Sequence, residues 1–212
     1  MGATFISGGS GCGKTTFCNR VSERYPITLE TNVIRSLHKE EDFPLLPGVA
    51  KQLTYFTRYL DLHRVSSHLP NFKILSDRSI LNVLAFWEIP PETVKYLGLE
   101  VIKPDLIILV SPPPFIWYRD HIDYLKDPIR ISTYKRKAGI VSELDDLKIA
   151  ELFYDHDVFM FQDMARMCAM LNWNHFIPDE KMYNIEDFQG FWQREAEAEL
   201  VRTWNLEEIK NG

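Results

Sequence analysis

Apolar residues along this 212-residue chain fall into two patterns. Short continuous runs predict strands, and longer stretches with an apolar side chain every three or four positions predict helices. Thr4-Phe5-Ile6-Ser7 is the first run, followed by a helix over Thr16–Tyr25 with Phe17 and Val21 on one side. Pro26 ends that helix. Ile27-Thr28-Leu29 predicts a second short strand with Glu30 at its carboxyl end, Asn32–His38 a short helix, and the polar, then Pro-rich Lys39–Gly48 a loop. Val49–Leu69 is a long helix in which Leu53, Phe56, Tyr59, Leu60 and Leu62 recur at helical spacing. Phe72–Ser76 is the third strand, with Asp77-Arg78-Ser79 at its tip and a helix over Ile80–Trp87 behind it. Pro90-Pro91 breaks that helix before a short one over Glu92–Leu99. Asp105–Val110 is the plainest strand, apolar enough to be central and buried on both faces. A helix begins at Phe115 and runs to Leu125, and Glu143–Leu171 is mostly one long helix. Its Phe159, Met160, Met164 and Met167 read as core. Trp173–Ile177 is the fifth strand, and Phe188–Trp204 is an amphipathic helix whose Phe191, Trp192 and Leu200 can pack. Five strands alternating with helices predict a parallel, doubly wound α/β sheet with helices on both faces, in a single domain over 1–212.

Composition narrows this little. Hydrophobic residues make up 45% and charged residues 25%, as in a globular chain. The net charge of −6 argues against a dedicated duplex-DNA binder. Cys12, Cys18 and Cys168 form no C-x-x-C pair, so neither a disulfide framework nor a zinc site is implied. Cys12 has two readings, a small loop residue or a reactive thiol at a helix start. The histidines read as surface or satisfied core groups; His63 and His68 are five apart, the wrong spacing for ligands on one helix face. With no signal peptide and no apolar run near the ~20 residues that span a bilayer, the expectation is a cytoplasmic protein without a membrane partner.

Chemistry enters at Gly8-Gly9-Ser10-Gly11-Cys12-Gly13-Lys14-Thr15, which fits G-x-x-x-x-G-K-[ST] between the first strand and first helix. The glycines let the backbone wrap a phosphate with its N–H groups aimed inward, and the helix start, with Thr16, adds partial positive charge there. Lys14 reaches the β/γ-phosphates and the Thr15 hydroxyl holds Mg²⁺. The loop therefore points to ATP with Mg²⁺. Glu30, at a strand's carboxyl end, is a site candidate or a surface carboxylate. Asp77 is placed as a Walker-B-like acid that holds Mg²⁺ or takes a substrate proton, although a strand-end Asp also caps helices. Arg78 beside it neutralises phosphate charge. Gln52, Tyr55, Arg58 and Arg64 lie on the long helix, where a subset can meet a base or sugar. Between Arg119 and Lys137 six basic residues (Arg119, Lys126, Arg130, Lys135, Arg136, Lys137) form a segment that reads as a phosphate-covering lid, with Arg130 and Arg136 as catalytic candidates.

With these residues in place the chain resembles the P-loop nucleoside and nucleotide kinases, above all the deoxynucleoside kinase and thymidylate kinase group. The resemblance covers about residues 1–140. It rests on Gly8–Thr15, on Glu30 after strand two, on Gln52, Tyr55 and Arg58 on a helix, on Asp77-Arg78-Ser79, and on the Arg119–Lys137 segment. It implies a P-loop NTPase fold with a basic lid, acceptor binding by Glu30, Gln52, Tyr55, Arg58 and Arg78, and Glu30 as general base for a sugar hydroxyl. The third-strand motif has Asp where deoxynucleoside kinases carry Glu, a feature closer to thymidylate kinases. Leu29, rather than an arginine, precedes Glu30, which tips the reading toward a nucleoside acceptor. Asp127-Pro128-Ile129-Arg130 gives a looser likeness to ribosylnicotinamide-kinase-like proteins. The expected activity is transfer of the ATP γ-phosphate to a nucleoside or nucleoside monophosphate. A polynucleotide 5′-hydroxyl kinase and a non-catalytic nucleotide-binding switch are the alternatives, and a homodimer is compatible with the chain.

Overall fold

A strand whose two edges are both paired and whose two faces are both covered must be apolar along its length, and two runs here meet that demand. In the computed structural model β1 (Ala3–Gly8) pairs with β3 (Ile74–Asp77) on one side and β4 (Leu106–Val110) on the other. The edges are short: β2 (Leu29–Thr31) beside β3, and β5 (His175–Phe176) beside β4. All neighbours run parallel, in the order β2-β3-β1-β4-β5. The structure describes residues 3–9, 11–27, 29–40, 42–68, 73–178 and 185–205, without the side chains of 29–31, 44, 66–67 and 185–189.

Nine helices are described: α1 (Lys14–Arg24), α2 (Val33–Leu37), α3 (Gly48–His68), α4 (Ile80–Phe86), α5 (Phe115–Asp120), α6 (Ile122–Leu125), α7 (Pro128–Lys137), α8 (Asp146–Leu171) and α9 (Ile185–Trp204). Successive strand side chains point to opposite faces, and the core divides accordingly. Phe5, Ile74, Ile107 and Leu109 face α3, α4 and α8. Ile6, Leu75, Leu106, Ile108 and Val110 face α1 and α9, where Trp192, Ala196, Leu200 and Trp204 repeat every four residues. A third cluster joins α5, α6 and α7 to α8 through Trp117, Tyr118, Leu125, Tyr134 and Phe153.

Several elements depart from the sequence expectation for local reasons. The second strand starts two residues late, because the Ile27 N–H bonds the Tyr25 carbonyl in a three-residue turn at 2.8 Å. Glu30 is therefore inside β2 opposite Leu75 rather than at its carboxyl end. The helix expected over Phe115–Leu125 breaks at His121, whose Nδ1–H donates to the Trp117 carbonyl at 2.9 Å. Glu92–Leu99 is replaced by a 3₁₀ turn over Pro91–Leu97. Phe159 is 43% exposed, one residue round the helix from the buried Met160, Met164 and Met167. Phe72 and Leu69, the ends of two expected elements, lie outside the described residues.

His63 on α3 stacks between Phe5, at 3.9 Å between ring centroids, and Trp173, at 5.1 Å. Full burial pushes its pKa down to about 3, against a backbone hydrogen bond to Ile102 that raises it. Below the ordinary value near 6.5 the unfolded chain takes up a proton that the folded chain refuses. Stability is thus full above that value and drains as pH falls toward about 3, by up to about 1.4 kcal/mol per pH unit. Urea unfolding followed from pH 7 to 4 should show this slope, and His63→Phe should flatten it. An unchanged slope in the variant would assign the pH dependence elsewhere.

Candidate active site

The carboxyl ends of β1 and β3 converge on the glycine-rich turn. β1 runs straight into Gly8 and Gly9, and α1 starts at Lys14 behind Gly13, whose φ is 84°. Gly11 also has positive φ, 76°, a conformation glycine adopts without steric penalty. The turn is tight on its outside as well. A Cβ on Gly8 would stand 2.6 Å from the Val110 carbonyl oxygen, one on Gly9 2.4 Å from Asp157 Oδ2, and one on Gly11 2.1 Å from the Trp117 ring. Ser10 lies outside the described residues, and Thr16 is exposed on the first turn of α1.

Lys14 is almost wholly buried, with Nζ donating to the Gly9 carbonyl at 2.5 Å and lying 3.4 Å from Cys12 Sγ. Burial pushes the Cys12 thiol up, against the lowering effect of Lys14, and the thiol donates to Gly9 O at 3.1 Å. A thiol held protonated in this way is a small loop residue, not a nucleophile.

Asp77, the last residue of β3, is 3% exposed. Its Oδ2 accepts from the Thr15 hydroxyl and, at 2.8 Å, from Asn32 Nδ2. Its Oδ1 is buried with no hydrogen-bond partner among the described residues. A buried carboxylate oxygen without a donor is costly unless a cation completes it. Beside it stands the Thr15 hydroxyl. Mg²⁺ keeps several waters and takes few protein ligands, so Thr15 and Asp77 fit it. Among the described residues no cluster of three His, Cys, Asp or Glu offers a fuller metal cage.

Arg78 follows with φ 84°, rare for a residue with a side chain, and its N–H extends the ladder to Ile6 O at 2.8 Å. Burial alone would lower its pKa, but Tyr59, Asp77, Tyr134 and Cys12 together raise it, so the guanidinium stays charged. Arg78 is half-buried, and Tyr59 of α3 and Tyr134 of α7 are near enough to act on its charge. Backbone strain like that at Arg78 clusters at functional sites.

Of the α3 candidates, Tyr55 is buried and pairs through Oη with His38 Nε2 at 2.8 Å. Burial pushes its phenol up, with Arg78 pulling it back. Gln52 is half-buried, and Arg58 and Arg64 are exposed. Tyr59, one turn on, reaches the Asp77 carbonyl at 3.4 Å and belongs with Tyr55 on the inner face. Glu30 enters from β2, and its side chain lies outside the described residues.

The basic segment is divided. Arg130 lies over Phe153 at 4.8 Å and near Tyr134, on the side of α7 that packs on α8. Lys137 is tied to the Phe86 carbonyl and Glu88, Arg119 to Asp120, and Lys126 to Asp146. Arg136 and Lys135 line a separate groove of about 610 Å³ with Ile131, Ile140 and Leu144. Arg136 is therefore not brought together with Lys14, Asp77 and Arg78.

Sequence reasoning missed Asn32 and Asp157. Asn32, expected only as the start of a short helix, caps α2 by accepting from the Arg35 N–H at 2.9 Å, while its amide also holds Asp77. Asp157 is buried in α8, accepts from the Tyr118 hydroxyl at 2.8 Å, and abuts Gly9. Nothing in the local sequence of a 26-residue helix marks that acid.

No protein-family model and no curated protein matches the chain. Among solved structures it is similar to deoxyadenosine kinase from M. mycoides with bound dCTP, at 12% identity and TM-score 0.44 over 92% of this chain and 99% of that one. The same kinase with bound dATP gives 14% and 0.41 over 92% and 98%. With the products dCMP and dCDP it gives 14% and 0.42 over 92% and 99%. At these values the likeness carries nothing about the chemistry of this chain. No helix among the described residues is long and apolar enough to cross a membrane.

Gly11→Ala forces both a positive φ and a collision with Trp117, and it should destabilise the fold by about 1–3 kcal/mol. Gly139 has a similar φ of 68° with nothing within 4 Å of a Cβ. Gly139→Ala should therefore lose only the backbone part, about 1 kcal/mol. Equal losses for the two variants in denaturant unfolding would mean that Trp117 does not confine the loop.

Proposed function

We propose that this chain is an ATP-dependent kinase that transfers the γ-phosphate to a nucleoside or nucleoside monophosphate. The observation that carries this reading is the convergence of Lys14, Thr15 and a half-satisfied Asp77 at the mouth of the glycine-rich turn, with charged Arg78 adjoining. Phosphoryl transfer asks a protein mainly for positioning and for charge placed where the transferring group becomes anionic. Lys14 and the loop N–H groups would take the β- and γ-phosphates. Thr15 and Asp77 would hold Mg²⁺, which when bound neutralises phosphate oxygens. Arg78 would face the transferring group, and Arg130 would add positive charge from α7.

Glu30, on the strand beside Asp77's, is the proposed base. The acceptor hydroxyl gives its proton to the carboxylate, its oxygen forms the new bond to γ-phosphorus, and ADP leaves with the electron pair of the broken bond. Tyr55 and Gln52, on the inner side of α3, are the proposed acceptor contacts, with Arg58 at the rim.

Release of ADP from ATP, measured with nucleosides, nucleoside monophosphates and 5′-hydroxyl oligonucleotides, tests the reading. Release should depend on a nucleoside or a monophosphate. Dependence on oligonucleotides alone would assign a polynucleotide kinase, and no acceptor dependence at all would leave no kinase. Lys14→Ala should lower turnover on the order of 10²-fold or more. Glu30→Gln should cut transfer by roughly 10²–10⁴ while ATP binding persists, and unchanged turnover would remove Glu30 as the base.

A further inference from the structure

The glycine-rich turn is held from behind by the far end of the chain. Trp192 on α9 donates its indole N–H to the Cys12 carbonyl at 2.8 Å, and Gln193 donates Nε2–H to the Gly13 carbonyl at 3.3 Å. Trp192 is 3% exposed and packs on Phe17 of α1 at 5.2 Å between centroids; Gln193 is 4% exposed. Farther along, Glu197 takes Arg24 at 2.9 Å, Arg20 at 3.3 Å and the Tyr25 hydroxyl at 3.1 Å. Together these contacts clamp α9 to both ends of α1.

A trans peptide is planar, so its C=O and its N–H point in opposite directions. Drawing the Cys12 carbonyl toward Trp192 turns the Gly13 N–H the other way. Drawing the Gly13 carbonyl toward Gln193 does the same to the Lys14 N–H. Gly13 lies between those two peptide planes, and as a glycine, here at φ 84°, it imposes little torsional preference on either. Gly13 O also accepts the Phe17 N–H at 3.0 Å as the first bond of α1, whereas Cys12 O has only the indole among the contacts described.

We infer that Trp192 and Gln193 are positioning residues for the phosphate loop: from α9 they orient the peptide planes whose N–H groups would receive the nucleotide's phosphates. This inference rests on the kinase reading for its ligand but not for its geometry. It assigns α9 to the donor half of the site, at a distance of 180 residues in sequence.

The test uses the full chain with two substitutions. Trp192→Phe keeps an aromatic ring on Phe17 and removes the N–H; Gln193→Leu removes the amide at similar volume. Amide hydrogen exchange of the loop segment is read first, then ATP affinity and the separate kcat and KM values. The expected result is faster loop exchange in both variants. ATP Kd should rise about five- to tenfold for Trp192→Phe and about threefold for Gln193→Leu, the size of one hydrogen bond each. The acceptor KM should stay where it was. A merely structural role would lower thermal stability without separating the ATP term from the acceptor term. Loop exchange as slow as in the parent overturns the inference, and so does an ATP affinity within twofold of a parent that binds ATP. If Trp192→Phe does not fold, Gln193→Leu decides by the same readings. If the parent itself binds no ATP while loop exchange still quickens in the variants, the positioning stands and the kinase reading falls.

Discussion

Everything at the site depends on β1 being paired along both edges. With β3 on one side and β4 on the other, and helices over both faces, its backbone groups are spent within the sheet and its side chains within two cores. The strand can release the chain only at its end, and at Gly8 it releases it into a turn walled by Val110, Asp157 and Trp117. β3 ends at Asp77, opposite Ile6 and two residues before β1 ends at Gly8, so its carboxylate arrives beneath that turn. Thr15 on the first turn of α1 then reaches it directly. The hydrogen bond between the two ties strand tip to helix start, and it fixes the distance across which a cation and phosphates would be shared.

Charge around the turn is arranged in alternating sign. Lys14 lies within it, Asp77 on the β3 side and Asp157 on the α8 side, and Arg78 beyond Asp77. The two acids are treated differently. Tyr118 donates to Asp157, and burial together with that carboxylate pushes the Tyr118 phenol well above its ordinary range, so the proton stays on the tyrosine. Among the described residues Asp77 has both its donors on one oxygen and none on the other. In a low-dielectric interior this asymmetry is a preference for a further positive ligand at Oδ1. What separates the two acids is not exposure, since both are nearly buried, but that Asp77 keeps an oxygen without a donor among the described residues.

Sequence and structure agree where the information is local or nearly so. The spacing of Gly8, Gly13, Lys14 and Thr15 is a property of consecutive residues. The apolar run at Leu106–Val110 could only be an interior strand, and Asp77 and Arg78 followed from their place after another. What was not readable came from register and from long-range packing. A three-residue turn at Tyr25–Ile27 shifts β2, which brings Asn32 and not Glu30 to the level of Asp77. Trp192 reads as one more apolar position of an amphipathic helix, and nothing nearby says that its nitrogen finds Cys12 O. Asp157 is hidden for the same reason, as one acid among several along α8.

The basic segment shows how helix geometry sorts residues that composition lumps together. Arg130 and Tyr134 are one turn apart on α7 and share a face, and Lys137, three residues on, continues it. That face meets Phe153 and His156 of α8, the latter stacked on Tyr134 at 3.8 Å, and the end of α4 at Phe86 and Glu88. Lys135 and Arg136 fall on the other side, against Ile140 and Leu144. Because α4 begins at Ser79, which caps it through the Leu81 N–H and bonds Ser7 of β1 at 2.7 Å, the α7 face is joined through α4 to the Asp77-Arg78-Ser79 corner. Tyr134 closes the circuit by standing close enough to Arg78 to raise its pKa. A net count of six basic residues would have made Arg130 and Arg136 equivalent; the 3.6-residue period lays one over Phe153 and Tyr134 and makes the other a wall of a separate groove.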